Sequence, residues 1–78
     1  MEYKKFAKII KNKRKDLGYT QKDFAKKINV GQSKYNKIEN GNLEPSFAIL
    51  QRIVIELNID LNEILELKKP NKDIIIYD

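Results

Sequence analysis

The run Thr20-Gln21-Lys22-Asp23-Phe24-Ala25-Lys26-Lys27-Ile28-Asn29-Val30-Gly31-Gln32-Ser33-Lys34-Tyr35-Asn36-Lys37-Ile38-Glu39-Asn40-Gly41 holds two short helical patterns and the turn between them. Phe24, Ala25 and Ile28 recur at the spacing of one helix face. Thr20, with Asp23 three residues on, is a reduced capping box, because Asp is shorter than Glu. Asn29 is able to hold the left-handed conformation that stops a helix, and Val30-Gly31 makes a tight turn. The next pattern runs from about Gln32 to Asn40, buries Tyr35 and Ile38, and ends at Gly41.

Working outward, Phe6, Ile9, Ile10 and Leu17 predict a first helix from Tyr3 to Asp16, with Gly18 at its C-terminal stop. Downstream, Asn42 to Pro45 is a short loop, and a fourth helix starts near Ser46. Phe47, Leu50, Val54 and Leu57 mark its inner face, Ile53 widens that face, and Asn58 ends it. Asp60 with Glu63 is a fuller capping box for a fifth helix carrying Ile64 and Leu65. Lys68 to Lys72 is a polar break, and Ile74 to Tyr77 has high strand propensity. The fold class is therefore all-α: five helices over residues 1–67, then a tail over 68–78 that is strand-like in composition.

Seventy-eight residues make one small domain whose apolar residues must go into a single core. The absence of histidine and cysteine excludes thiol nucleophiles, Cys/His zinc sites, serine–histidine triads and disulfides. No apolar run approaches the ~20 residues of a membrane span, and the lysine-studded stretch from Met1 to Lys11 does not read as a secretory signal. The expectation is a soluble cytoplasmic binding domain, not an enzyme, with no cofactor, no metal, no membrane contact and no small-molecule substrate. Charge names the ligand class. Residues 1–37 carry twelve basic side chains against Glu2, Asp16 and Asp23, leaving +9, while residues 38–78 carry four against eight acids, leaving −4. That asymmetry suits a phosphate backbone, or less often an anionic membrane surface.

The second and third helices are joined through Asn29 to Gly31, which is the spacing of a helix-turn-helix. With Arg14, Leu17 to Gln21, Phe24-Ala25, Val30 to Ser33, Ile38 to Gly41, Pro45-Ser46 and Asn58 to Asn62 in this order, the sequence resembles the Cro- and lambda-repressor-like (XRE) family of phage and bacterial helix-turn-helix regulators. The resemblance covers about Ile10 to Leu65, most of the chain. It implies the five-helix fold, a double-stranded DNA partner and transcriptional regulation. It also implies that Arg14 and Glu39 form an ion pair bridging the first and third helices beneath the surface.

The third helix supports a reading head independently. At about 100° per residue from Gln32, Asn36, Ser33 and Lys37 fall near 40°, 100° and 140°, whereas Ile38 and Tyr35 fall near 240° and 300°. One side is apolar. The other offers two amides, a hydroxyl and an ammonium, the groups that pair with adenine or guanine edges. Gln32, Ser33, Asn36 and Lys37 are therefore the candidate base contacts, and Lys34, on the flank, a candidate phosphate contact. Gly31 departs from the family, which has a hydroxyl residue there to cap the helix. Gln21 begins the second helix, where free N–H groups favour an anion; relatives use a glutamine there on a phosphate, and Thr20 adds its N–H or hydroxyl. Asn40 and Asn42 flank Gly41 in the loop where relatives offer backbone N–H groups to phosphate. Lysines 11, 13, 22 and 26 add long-range attraction.

Ile49 and Ile55 lie off the main stripe of the fourth helix, and Ile74, Ile75, Ile76 and Tyr77 have no place in the five-helix pattern. One recognition helix covers few base pairs, and relatives pair two reading heads about 34 Å apart. A homodimer through the fifth helix, Ile55 and the tail is one arrangement; a tail folded back over its own helices, or without order, is the other. The chain has no room for a separate sensing or catalytic domain, so control falls to concentration, dimerisation, proteolysis or a regulatory protein partner. A single-domain repressor of a phage or mobile element leads. The alternative is an antitoxin or protein-interaction module with the same fold.

Overall fold

The computed structural model describes residues 3–60 and 62–63. Among them are four helices: α1 (Tyr3–Asp16), α2 (Gln21–Lys27), α3 (Gln32–Glu39) and α4 (Phe47–Glu56). The described residues are all-helical, with four helices where the sequence predicts five. Asn62 and Glu63 are helical; Ile64 and Leu65 of the expected fifth helix, and Ile74, Ile75, Ile76 and Tyr77 of the tail, lie outside the described residues.

All four helices end the same way. Gly18, Asn29, Gly41 and Asn58 take positive φ of 82°, 59°, 81° and 52°. In each case the next residue's N–H turns back to a carbonyl five residues earlier: Tyr19 to Arg14, Val30 to Ala25, Asn42 to Lys37 and Ile59 to Val54, at 2.9–3.1 Å. This is the Schellman stop, which satisfies carbonyls that a helix end otherwise strands. Tyr19, Val30 and Ile59 then lay apolar side chains against the core. After α3 the corresponding residue is Asn42, polar and exposed.

The core is built from Phe6 and Ile10 of α1, Phe24 of α2, Tyr35 and Ile38 of α3, Ile53 of α4, and the helix-ending Ile28 and Leu57, all essentially inaccessible. Each such side chain contributes about 1.5–3 kcal/mol on burial. Tyr19, Phe24 and Tyr35 stack in a tilted series with ring centroids 5.4 Å apart at each step. α3 packs on both α1 and α2. Further ties hold the outer elements: Tyr3 Oη donates to the Ile38 carbonyl at 2.8 Å, and Arg52 donates to the Ile28 carbonyl at the end of α2 at 3.0 Å.

Two expectations from periodicity and one from capping chemistry fail. Phe47 is 77% exposed, and Ile49 is instead half-buried against the core. The buried residues Ile53 and Leu57 set the direction of α4's inner face, and at about 100° per residue Phe47 lies roughly 100° from its centre but Ile49 only about 60°. Leu17 is 53% exposed, because α1 stops at Asp16 and the inward position one turn earlier is held by Arg14 against Glu39. Finally, the Asp60–Glu63 box closes on one side only. Asp60 Oδ1 accepts from the Asn62 N–H at 2.9 Å, while the Glu63 carboxylate pairs with Lys13 at 3.2 Å.

Candidate nucleic-acid interface

α3 stands on a buried polar clamp. Arg14 donates from Nε and Nη2 to the two oxygens of Glu39, both at 2.8 Å, and from Nη1 to the Tyr19 carbonyl at 2.6 Å. The Tyr35 hydroxyl adds a bond to Glu39 at 2.5 Å, and Gln21 Nε2 adds one at 3.1 Å. Glu39 is 3% exposed. Burial pushes its carboxyl upward, but the bonds from Arg14, Tyr35 and Gln21 outweigh that and hold it below the usual carboxylate range. The Glu39 bond raises the Arg14 guanidinium further, and burial followed by the Glu39 bond pushes the Tyr35 phenol well above its ordinary value. Both groups keep their protons and the carboxylate keeps its charge, so the Arg14–Glu39 pair is bidentate and ionised, with a neutral phenol beside it.

With Tyr35, Ile38 and Glu39 facing in, α3 turns Gln32, Ser33, Lys34 and Lys37 outward, all exposed. Gly31 caps the helix with φ −59° and ψ 142° and supplies no side-chain bond, so the first N–H groups of α3 have no side-chain cap. Asn36 stands between the two sides. Its Oδ1 is buried without a hydrogen-bond partner among the described residues. With that acceptor buried, Asn36 lacks the outward donor–acceptor pair that bidentate pairing with adenine needs.

On the flanks, several polar groups are already engaged within the domain. On one side Thr20 Oγ1 caps α2 by accepting from the Asp23 N–H at 3.0 Å. Gln21 spends one amide hydrogen on Glu39 and has a second left over. On the other side the backbone N–H groups of Asn40, Gly41, Asn42 and Leu43 all turn back to α3 carbonyls at 2.9–3.2 Å. What this loop presents is side chains: Asn40 and Asn42 are exposed. Of the four lysines read as long-range attractors, Lys13 is bound to Glu63.

The start of α2, with Thr20 and Gln21, is tied to the end of α3 through Gln21 and Glu39, the Asn40–Asn42 turn follows directly, and residues 24–38 contain no acid. Sequence reasoning missed the Gln21–Glu39 bond, which joins the start of α2 to the buried clamp; nothing in the spacing of a lone glutamine announces it. Among the described residues no helix is long and apolar enough to cross a membrane.

A short helix with a polar outer side, set by a four-residue turn, Ile28 to Gly31, against a second helix, defines a helix-turn-helix domain. The chain belongs to the helix-turn-helix family, whose description matches residues 10–64. It is 39% identical over 62 residues to the ImmF control region 10 kDa protein of Bacillus phage phi105, covering 80% of this chain and 69% of that protein. It is 41% identical over 64 residues to the uncharacterized HTH-type transcriptional regulator YazB of Bacillus subtilis, covering 82% and 93%. It is 36% identical over 53 residues to the HTH-type regulator YqaF of the same bacterium, covering 68% and 70%. No solved structure matches the chain with significance.

Proposed function

We propose that this DNA-binding transcription regulator reads a specific duplex sequence through the outer side of α3 and acts as a repressor in a phage or mobile element. The observation that carries the reading is the division of α3: Tyr35, Ile38 and Glu39 are pinned inside while Gln32, Ser33 and Lys37 stand free on the opposite side. Gln32 and Ser33, at the helix N-terminus, are assigned to base edges, with Lys37 one turn on suited to guanine O6 and N7. Asn36 takes a secondary part, donating to an acceptor on a base edge. Thr20 and the second N–H of Gln21 hold phosphate on one flank; Asn40 and Asn42 hold it on the other, with Lys34 beside them. The phage relative, named for a control region, supports the phage context. The protein works in the cytoplasm as a homodimer, its second copy supplying the other reading head.

Selection from a random duplex pool, followed by anisotropy on the recovered sequence, tests this. The expected result is a palindrome bound at least ~10³-fold more tightly than random duplex. Ser33→Ala and Lys37→Ala should each lose about 1–3 kcal/mol and relax preference at defined positions, while Gln21→Ala should weaken all duplexes alike. Recovery of no sequence, with binding that merely collapses in salt, overturns the reading and favours a protein partner, for which the exposed Phe47 and Ile55 of α4 are the place to look.

A further inference from the structure

Lys4, Lys8, Lys11 and Lys15 follow one another along α1 at intervals of four, three and four residues, which at about 100° per residue places them within roughly 60° of arc. All four are exposed, and none forms an ion pair within 4.0 Å among the described residues. Asp16 adjoins Lys15 in sequence but lies about 100° round the helix from it, and Glu44, whose charge is felt by the neighbouring Tyr3 phenol, makes no ion pair with the stripe. Lys13 lies almost opposite, near 180° from Lys4, and it is there that α1 meets Glu63. The stripe and the Lys13–Glu63 pair thus lie on opposite sides of α1.

The stripe has an internal cost. Like charges at i, i+4 repel and weaken a helix. Lys4 also stands in a first turn that contains no acid, where the helix dipole disfavours a cation. Its position is informative. Gly41 packs directly on Lys4: a Cβ at Gly41 would stand 3.0 Å from Lys4 Cγ and 3.5 Å from Lys4 Cα. The lysine row therefore begins against the turn that carries Asn40 and Asn42 and runs on for about 16 Å, the rise of about five phosphates on one strand at ~3.4 Å each.

We propose that the lysine stripe of α1 is a second phosphate track that engages the DNA backbone flanking the operator half-site on the side of the α3–α4 turn. This rests on the DNA reading above and extends it to a contact that adds affinity without sequence preference.

The test compares three proteins on the selected operator, as a minimal duplex and as one extended by about a helical turn (~10 bp) at each end. They are the wild type, the triple variant Lys4→Gln, Lys8→Gln, Lys11→Gln, and a control, Lys68→Gln, Lys69→Gln, Lys72→Gln, which removes the same charge elsewhere. On the extended duplex the α1 variant should lower the slope of log affinity against log salt by about 2–3, since each lost phosphate contact removes ~0.9. The gap to wild type should then close roughly 40-fold between 50 and 200 mM salt, for the same reason. The control should hold the wild-type slope, the minimal duplex should show a smaller change, and the sequence recovered by selection should stay the same. Melting of the α1 variant should be unchanged or slightly higher. An unchanged slope, or equal effects from both triples, overturns the proposal. So does a variant that loses binding to phosphatidylserine–phosphatidylcholine vesicles while its DNA slope stays intact, which reassigns the stripe to a membrane surface. Failure of the wild type to select any sequence is a separate result and removes the DNA reading itself.

Discussion

Glu39 accepts hydrogen bonds from Arg14, Gln21 and Tyr35 in a site that is closed to water. Removing its charge strands the Arg14 guanidinium, and a buried charge left without its partner costs about 3–5 kcal/mol. In a domain of this size that is a large share of total stability, ordinarily 5–15 kcal/mol. Glu39→Gln should lower the melting temperature and the operator affinity together, because α3 loses its anchor on α1. The pH dependence identifies the cause. Glu39's folded-state pKa is depressed, so its contribution is present above the unfolded carboxyl value of about 4.3 and is lost as pH falls through the lower folded value. The stability gap between wild type and Glu39→Gln, measured by denaturant unfolding, should be constant from pH 7 to about 5 and narrow below about 4. A gap that stays constant into acid would show that the carboxylate charge is not what holds the clamp.

At the scale of elements, the four Schellman stops make the helices discrete, and three of them return an apolar residue to the core. Asn42 is the exception, and its exposure matches its place as a candidate phosphate contact in the turn after α3. The start of α3 is the weak cap. Gly31 has open space around its Cα hydrogens and a φ that any residue adopts. Gly31→Ser should add one capping bond and remove backbone freedom from the unfolded chain, raising stability by about 0.5–1 kcal/mol. A thermal melt checks that, and no rise would mean the serine hydroxyl does not reach the free N–H groups. If DNA approaches closely at Gly31, the same variant should bind its operator no better despite its stability.

For the whole molecule the open matter is self-association. α4 leaves Phe47 and Ile55 exposed at 77% and 68%, about 80° apart on one side of the helix, and neither contributes to the chain's own core. As part of a homodimer interface Ile55 would be covered. Ile55→Glu should weaken self-association at least tenfold in sedimentation while changing unfolding free energy by less than about 0.5 kcal/mol, as expected for a surface site. Deletion of residues 70–78 should act in the same direction if the tail belongs to the interface. Unaltered association in both would leave the two reading heads to be joined by DNA alone.

Most helix boundaries were legible because local chemistry sets them: Thr20 and Ser46 supply capping oxygens, and among the described residues glycine or asparagine supplies every positive φ. The polar division of α3 was legible too, since periodicity alone separates Tyr35 and Ile38 from Gln32, Ser33 and Lys37. Periodicity carries no information about the direction from which a neighbour comes. It placed Phe47 and Leu17 inside, and only the packing of Ile53, Leu57 and Arg14 turned them out. Likewise the row of lysines on α1 is written in the sequence, but its start against Gly41 required the fold. By itself the sequence determined the four described helices, their stops and the polar outer side of α3. The tertiary structure alone decided that Tyr35 and Gln21 join the Arg14–Glu39 pair, which the family resemblance implied, in one clamp, because residues 4 to 25 positions apart share a carboxylate only once three helices have closed around it.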